Sequence, residues 1–356
     1  MARKTIFLET AFWEKFSECY RALNPYEEGY DPVVVINKIE CWNNIFKFFC
    51  RSSVLVDSSL QDLAQKAIKD EDPMLKHLLK KNGDGHFDLE QSIDPFPNLD
   101  SSCEFECEGD NSAIFFTEQD QRRGARNHGV INISLNSIWE QANKFKDSGK
   151  SVMRDEEWTW RNMDILKESS NGIVIIDNYI LKPSINHRTH QETCEISFNL
   201  KELFRLMLPN STIEPFQISI FYYDDSSDVN ITKQRKELYF VSIRKFIKQQ
   251  RPHLAFELEL FPSYTDVVHT RKDFHDRVIL TNNIWVSSEA GFDLLRYDQT
   301  ASTNTSAIKT TKTHGLYFGF GNEVAGWLEG AYDDLLKEVK ECLIRYDYSS
   351  NNRLLQ

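Results

Sequence analysis

Apolar residues fall along this chain in two alternating rhythms: runs of about five that are dense in Ile, Val, Leu and Phe, and longer stretches where they recur every three or four positions. Short dense runs are the signature of buried strands, and the 3–4 spacing that of amphipathic helices. On this reading residues 4–8 form a strand closing on Glu9, and residues 10–23 a helix. A second helix follows at 33–49, with Ile36, Ile39, Trp42, Ile45, Phe46 and Phe49 as its apolar stripe. Residues 53–59 form a strand that closes on a Ser N-cap, with a helix opening at Leu60. Residues 113–120, 122–128 and 129–133 read as strand, helix and strand.

The second half repeats the alternation. Strands are expected at 172–181, 216–223 and 254–260, helices at 200–208 and 233–250, and then a strand pair over 274–285. A Gly-broken strand at 315–321 and a helix at 323–346 close the chain. The polar, Gly- or Pro-marked segments 80–97 and 147–157 read as a loop and a linker, and the Thr- and Ser-rich segment 300–313 as a second loop. Strand and helix in alternation predict an α/β protein of two domains, 1–147 and 158–356, each a mixed or mainly parallel sheet flanked by helices. Its 356 residues suit two cores of ordinary size.

Composition narrows the class. With 40% hydrophobic and 27% charged residues the chain has globular proportions. No apolar run reaches the ~18–20 residues of a membrane span, and charge interrupts the first residues too soon for a signal peptide, so a cytoplasmic location is expected. Seven cysteines without a Cys-x-x-Cys pair fit reduced thiols. Cys103 and Cys107 lack a His at zinc-ligand spacing, and His187 and His190 lack a nearby Cys. Asp84, Asp88 and Glu90 lack the order of a calcium loop. The net charge of −12 argues against a protein that coats nucleic acid through Lys and Arg. It leaves room for a metal nuclease, whose acids gather around the ion, with Arg122, Arg123 and Arg126 lining the approach.

Acids at strand ends supply the candidate chemistry of the first half. Glu9 and Thr10 follow the first strand, and Asp62 lies in the first turn after the second. Asp100 precedes by 17 residues the Thr117 that ends the next strand, and Glu118, Gln119 and Asp120 follow it. Open α/β sheets put their ligands at such strand ends. In this order the residues resemble PIN-like nucleases over about positions 4–145, with Glu9 where that family has Asp and Gln119 where it has its last acid. The resemblance implies that Glu9, Asp62 and Asp100, with Asp120 or Glu118, hold Mg²⁺ or Mn²⁺. It implies that Thr10 or Thr117 positions water or phosphate, and that the substrate is nucleic acid, RNA before DNA.

The second half carries its polar cluster at His275, Asp276 and Arg277, directly before the β-branched run of 278–281 and Asn282. Followed by Trp285 and Gly291-Phe292-Asp293, this resembles the phospholipase D-like fold over about residues 160–345. The likeness is strongest to the single-copy version that forms the C-terminal domain of microtubule-interacting-and-trafficking proteins. That family's motif is His-x-Lys, four residues, Asp; here Arg277 and Asn282 stand at the Lys and Asp positions. The resemblance implies phosphate binding by Asp276, Arg277 and Asn282, a phosphate-bearing or protein partner, and His275 as nucleophile only if a homodimer supplies a second copy.

Three expectations therefore stand. The first is a metal-dependent endonuclease with a phospholipase D-like sensing domain, an architecture suited to prokaryotic stress response or phage defence. The second is a non-catalytic interaction protein whose sites have decayed. The third is a metal-independent phosphodiesterase using His275 in a homodimer.

Overall fold

In the computed structural model the described residues are 5–21, 31, 33, 53–57, 92–93, 113–118, 131–136, 150–152, 170–185, 192–212, 214–264, 274, 277–282, 284–288, 292, 295–297, 307–309, 314–318 and 322–355. The chain divides into two compact units, Met1–Ser148 with Phe318–Ala331, and Gly149–Tyr317 with Tyr332–Gln356.

The first unit contains β1 (Thr5–Leu8), α1 (Thr10–Arg21), β2 (Ser53–Asp57), β3 (Ser92–Ile93), β4 (Ala113–Thr117) and β5 (Ile131–Ser134). The strands form one sheet in the order β3-β2-β1-β4-β5, with every neighbouring pair parallel. Parallel strands are buried on both faces, which is why they read as continuous apolar runs. α1 lays Phe12, Trp13 and Phe16 into the core, its Phe12 ring 5.9 Å from that of Phe16 and 5.2 Å from that of Phe116 on β4. Strand β3 lies inside the expected loop of residues 80–97. Its two residues pair with Val56 and Asp57 at the sheet edge, too short a run for an apolar pattern to announce.

The second unit holds β6 (Lys150–Val152), β7 (Gly172–Ile176), β8 (Ser184–Ile185), β9 (Glu192–Thr193), α2 (Phe198–Met207), β10 (Phe216–Asp224), α3 (Val229–Gln250), β11 (Phe256–Tyr264), β12 (Arg277–Thr281), β13 (Ile284–Ser288), β14 (Leu295–Tyr297), β15 (Ala307–Lys309) and β16 (His314–Phe318). α4 (Asn322–Arg345) follows, its residues up to Ala331 grouped with the first unit and those from Tyr332 with the second, then a 3-10 turn at Arg353–Leu355. Seven strands make a mixed sheet ordered β11-β10-β7-β12-β13-β16-β6. β7, β10 and β11 run parallel, and β12 runs antiparallel to both β7 and β13.

Two expectations change here. The segment 147–157 is not simply a linker, since β6 pairs antiparallel with β16; the loop at 300–313 contains β15, paired with β14. Pro262, which ended the expected strand at 254–260, lies inside β11. β11 is an edge strand, where a missing N–H leaves no ladder bond unmade. Among the described residues no helix is long and apolar enough to cross a membrane.

The chain end is fastened to the second sheet. Asn352, 1% exposed, donates from Nδ2 to the Ile173 carbonyl at 3.2 Å and to Ser219 Oγ at 3.0 Å, while its Oδ1 accepts from Leu354 N at 3.0 Å. Glu259 accepts from Ser219 Oγ at 2.8 Å, Ser350 Oγ at 2.5 Å and Asn351 N at 2.8 Å. Tyr332 Oη donates to the Leu354 carbonyl at 2.8 Å.

Candidate functional site

In the first sheet the chain leaves β1 for β2 on one side, while β4 continues to β5 on the other. The strand order therefore reverses between β1 and β4, the position where open α/β sheets form a crevice at their carboxyl ends. Leu8 pairs with Phe116, so Glu9 and Thr117 emerge side by side. The Glu9 N–H donates to the Phe116 carbonyl at 3.0 Å, extending the ladder by one bond. The Glu9 carbonyl accepts from Trp13 N at 3.1 Å and so starts α1. Its carboxylate Oε2 accepts from the Glu118 N–H at 2.5 Å, and Glu118 forms an ion pair with Lys15 of α1. Thr117 is 1% exposed and Glu9 half-buried.

Sheet pairing thus unites three of the expected site residues, Glu9, Thr117 and Glu118, with Thr10 opening α1 beside them. Asp62, Asp100 and Asp120 lie outside the described residues. Among the described residues no group of three His, Cys, Asp or Glu side chains is placed to hold a metal. The donors present are carboxylate and hydroxyl oxygens, the hard ligands that suit Mg²⁺ or Mn²⁺ and not a soft thiophilic ion.

In the second unit the polar edge lies at the carboxyl ends of β7 and β10. Asp177, fully buried, accepts from Tyr179 N at 2.8 Å and from Phe292 N at 2.6 Å, pinning the segment after β13 to the end of β7. Asn178 Nδ2 donates to the Phe274 carbonyl at 3.0 Å. Because β12 is antiparallel to β7, it begins at this same edge with Arg277. The Arg277 guanidinium lies 5.7 Å from the Tyr179 ring centre, and Lys182 Nζ 4.0 Å from it. His275 and Asp276 lie outside the described residues.

Asn282 is at the far end of β12, about 17 Å along the strand at ~3.4 Å per residue, where its Oδ1 accepts from Asn171 N at 3.0 Å. Arg277 and Asn282 therefore do not converge on one phosphate. Asn282 is 2% exposed and ties β12 to the start of β7. A four-residue gap within a strand puts its two ends a full strand apart, which is the physical reason the pair separates.

A second polar node was not singled out from sequence. Arg235 of α3 bonds Asp224 at 2.7 Å and Asp225 at 2.8 Å through Nη1, and Glu192 at 2.6 Å through Nη2. An acid pair closing a strand, with an Arg ten residues on in the following helix, was the signal available. Burial pushes the Tyr222 and Tyr239 hydroxyls beneath this node well above their ordinary range. Phe221 and Tyr222 are core residues, at most 1% exposed, and Tyr223 is half-buried.

Compared with protein-family models and with curated proteins, the chain matches none.

Proposed function

We propose that the first unit is a metal-dependent phosphodiesterase acting on nucleic acid, RNA before DNA, and that the second unit serves binding. The observation that carries the reading is the convergence of Glu9, Thr117 and Glu118 at the reversal point of a fully parallel β3-β2-β1-β4-β5 sheet. Two carboxylates and a hydroxyl on neighbouring strand ends would supply the hard oxygen donors that such an ion takes. Glu9 would be the principal ligand, joined by Glu118 and by Asp62, Asp100 and Asp120 from the sequence resemblance. Mg²⁺ or Mn²⁺ bound there would supply Lewis-acid stabilisation of charge on the phosphodiester.

The chain's own residues do the positioning. The Glu118 N–H fixes one Glu9 oxygen and so orients the other. Lys15 offsets part of the charge of two adjacent acids. Titrating the protein with Mn²⁺, followed by water proton relaxation, tests the site without reference to turnover. Wild type is expected to bind, and Glu9→Gln and Asp62→Ala to weaken binding at least about tenfold, the order lost with a ligand or its supporting shell. Equal binding by all three proteins would sink the reading.

A further inference from the structure

On a protein of net charge −12, α3 carries six basic residues and one acidic residue. Its inner face, Thr232, Tyr239, Ile243, Phe246 and Ile247, is buried. Part of its positive charge is used inside the unit: Arg235 bonds three carboxylates, and Lys236 Nζ lies 5.0 Å over the Tyr348 ring.

The opposite face has a different character. Ile231, Leu238 and Val241 are 40%, 54% and 61% exposed. Their steps of seven and three are those of a helix–helix seam, which repeats every 3.5 residues. The next seam position is Lys245, flanked by Arg244 and Lys248, all exposed. From Ile231 to Lys245 the seam runs about 21 Å at 1.5 Å per residue.

We propose that this face of α3 docks an acidic amphipathic helix of a partner protein. The partner's apolar edge meets Ile231, Leu238 and Val241, and its Asp and Glu residues meet Arg244, Lys245 and Lys248. Charge complementarity selects an acidic partner, and the aliphatic seam selects a protein. A nucleic acid would find four exposed bases, Lys233, Arg244, Lys245 and Lys248, with Glu237 among them. Salt-sensitive phosphate binders of appreciable affinity use about 6–10 such contacts, and phosphates return nothing for desolvating three aliphatic side chains. A membrane surface would favour exposed aromatic anchors, whereas Tyr239 and Phe246 of this helix are buried and Phe240 is half-buried. A contact of this length belongs to the transient interfaces below about 1,200 Å². The proposal is independent of the nuclease reading.

The test uses the full chain and a fluorescent, roughly 20-residue synthetic helix with Leu along a 3.5-residue seam and Glu on its flanks. Fluorescence anisotropy is expected to give a Kd on the order of 10 µM, typical of a small interface. Leu238→Glu with Val241→Glu should weaken binding at least about tenfold, and so should Lys245→Glu with Lys248→Glu. The second pair, both residues exposed, should then bind a peptide whose Glu residues are replaced by Lys, which a variant that had merely unfolded would not do. Wild type that fails to bind at about 1 mM, or binding indifferent to both pairs, overturns the proposal. Tighter binding to a single-stranded RNA 20-mer or to phosphatidylserine vesicles, lost in the same variants, also overturns it and gives the face to that ligand.

Discussion

Replacing Asn352 by Ala should destabilise the second unit far more than a change at its exposed neighbour Ser349. The Asn352 side chain uses both amide hydrogens and its carbonyl oxygen, on Ile173, Ser219 and Leu354. At roughly 0.5–1.5 kcal/mol for each bond, and with the Leu354 N–H left buried without its acceptor, the loss comes to about 2–4 kcal/mol. For a unit near 200 residues each kcal/mol moves the midpoint by about 2–4 °C, so the expected fall in Tm is on the order of 5–15 °C. Differential scanning calorimetry of Asn352→Ala beside Ser349→Ala, an exposed neighbour, measures it. The Ser349 change should stay within about 0.5 kcal/mol. Ser219→Ala should be non-additive with Asn352→Ala, because the two share one bond. A shift below about 2 °C for Asn352→Ala would refute the claim that the tail is part of the core.

Other expectations follow from single features. Arg235→Ala leaves Asp224, whose side chain is 1% exposed, as an uncompensated buried charge; urea unfolding should show a loss of about 3–5 kcal/mol, and a loss below about 1 kcal/mol would contradict that pairing. Burial pushes the Cys342 thiol from 9.0 to about 12, and burial likewise raises the Tyr346 hydroxyl from 10.0 to about 12. Both groups shed protons first in the unfolded chain, so stability should hold up to about pH 9 and fall as pH rises toward 12; a Tm that is flat over that range contradicts the assignment. Two residues past the end of α4, Asp347 sits at φ 54°, with Tyr348 N on the Leu343 carbonyl at 2.8 Å and Asp347 N on the Ile344 carbonyl at 3.3 Å, the paired bonds of a Schellman cap. Asp347→Gly should therefore stabilise by about 0.5–1 kcal/mol in thermal unfolding, and a loss would show that the Asp side chain matters there.

Legibility in the sequence followed burial. β7, β10 and β12, buried along most of their length, are strands whose dense apolar runs match their positions within about five residues, because a strand covered on both faces has no polar side to show; β1, β2 and β4 match their expected positions as closely. Peripheral strands were another matter: β3, β6 and β15 have two or three residues each and gain their state from a neighbour's hydrogen bonds. α3 begins at Val229, four residues before its expected start at Lys233, because Asp228 caps it, its carboxylate accepting from Asn230 N at 2.8 Å. The β-branched Ile231 and Thr232 hid that beginning from propensity. At the candidate site, Glu9, Thr117 and Glu118 could be foreseen as strand-end residues, yet their adjacency depends on strand order, which no local pattern encodes. Arg277 and Asn282 came together as one expected phosphate site from the resemblance to a family motif, and the extended strand β12 places them about 17 Å apart.

The most direct measurement is cleavage of end-labelled single-stranded RNA by the purified protein, in Mn²⁺ and in EDTA, beside Glu9→Gln and His275→Ala. The account predicts cleavage that needs metal, falls at least about a hundredfold in Glu9→Gln, and survives His275→Ala. Cleavage that persists in EDTA and disappears with His275, or cleavage equal in wild type and Glu9→Gln, would contradict it.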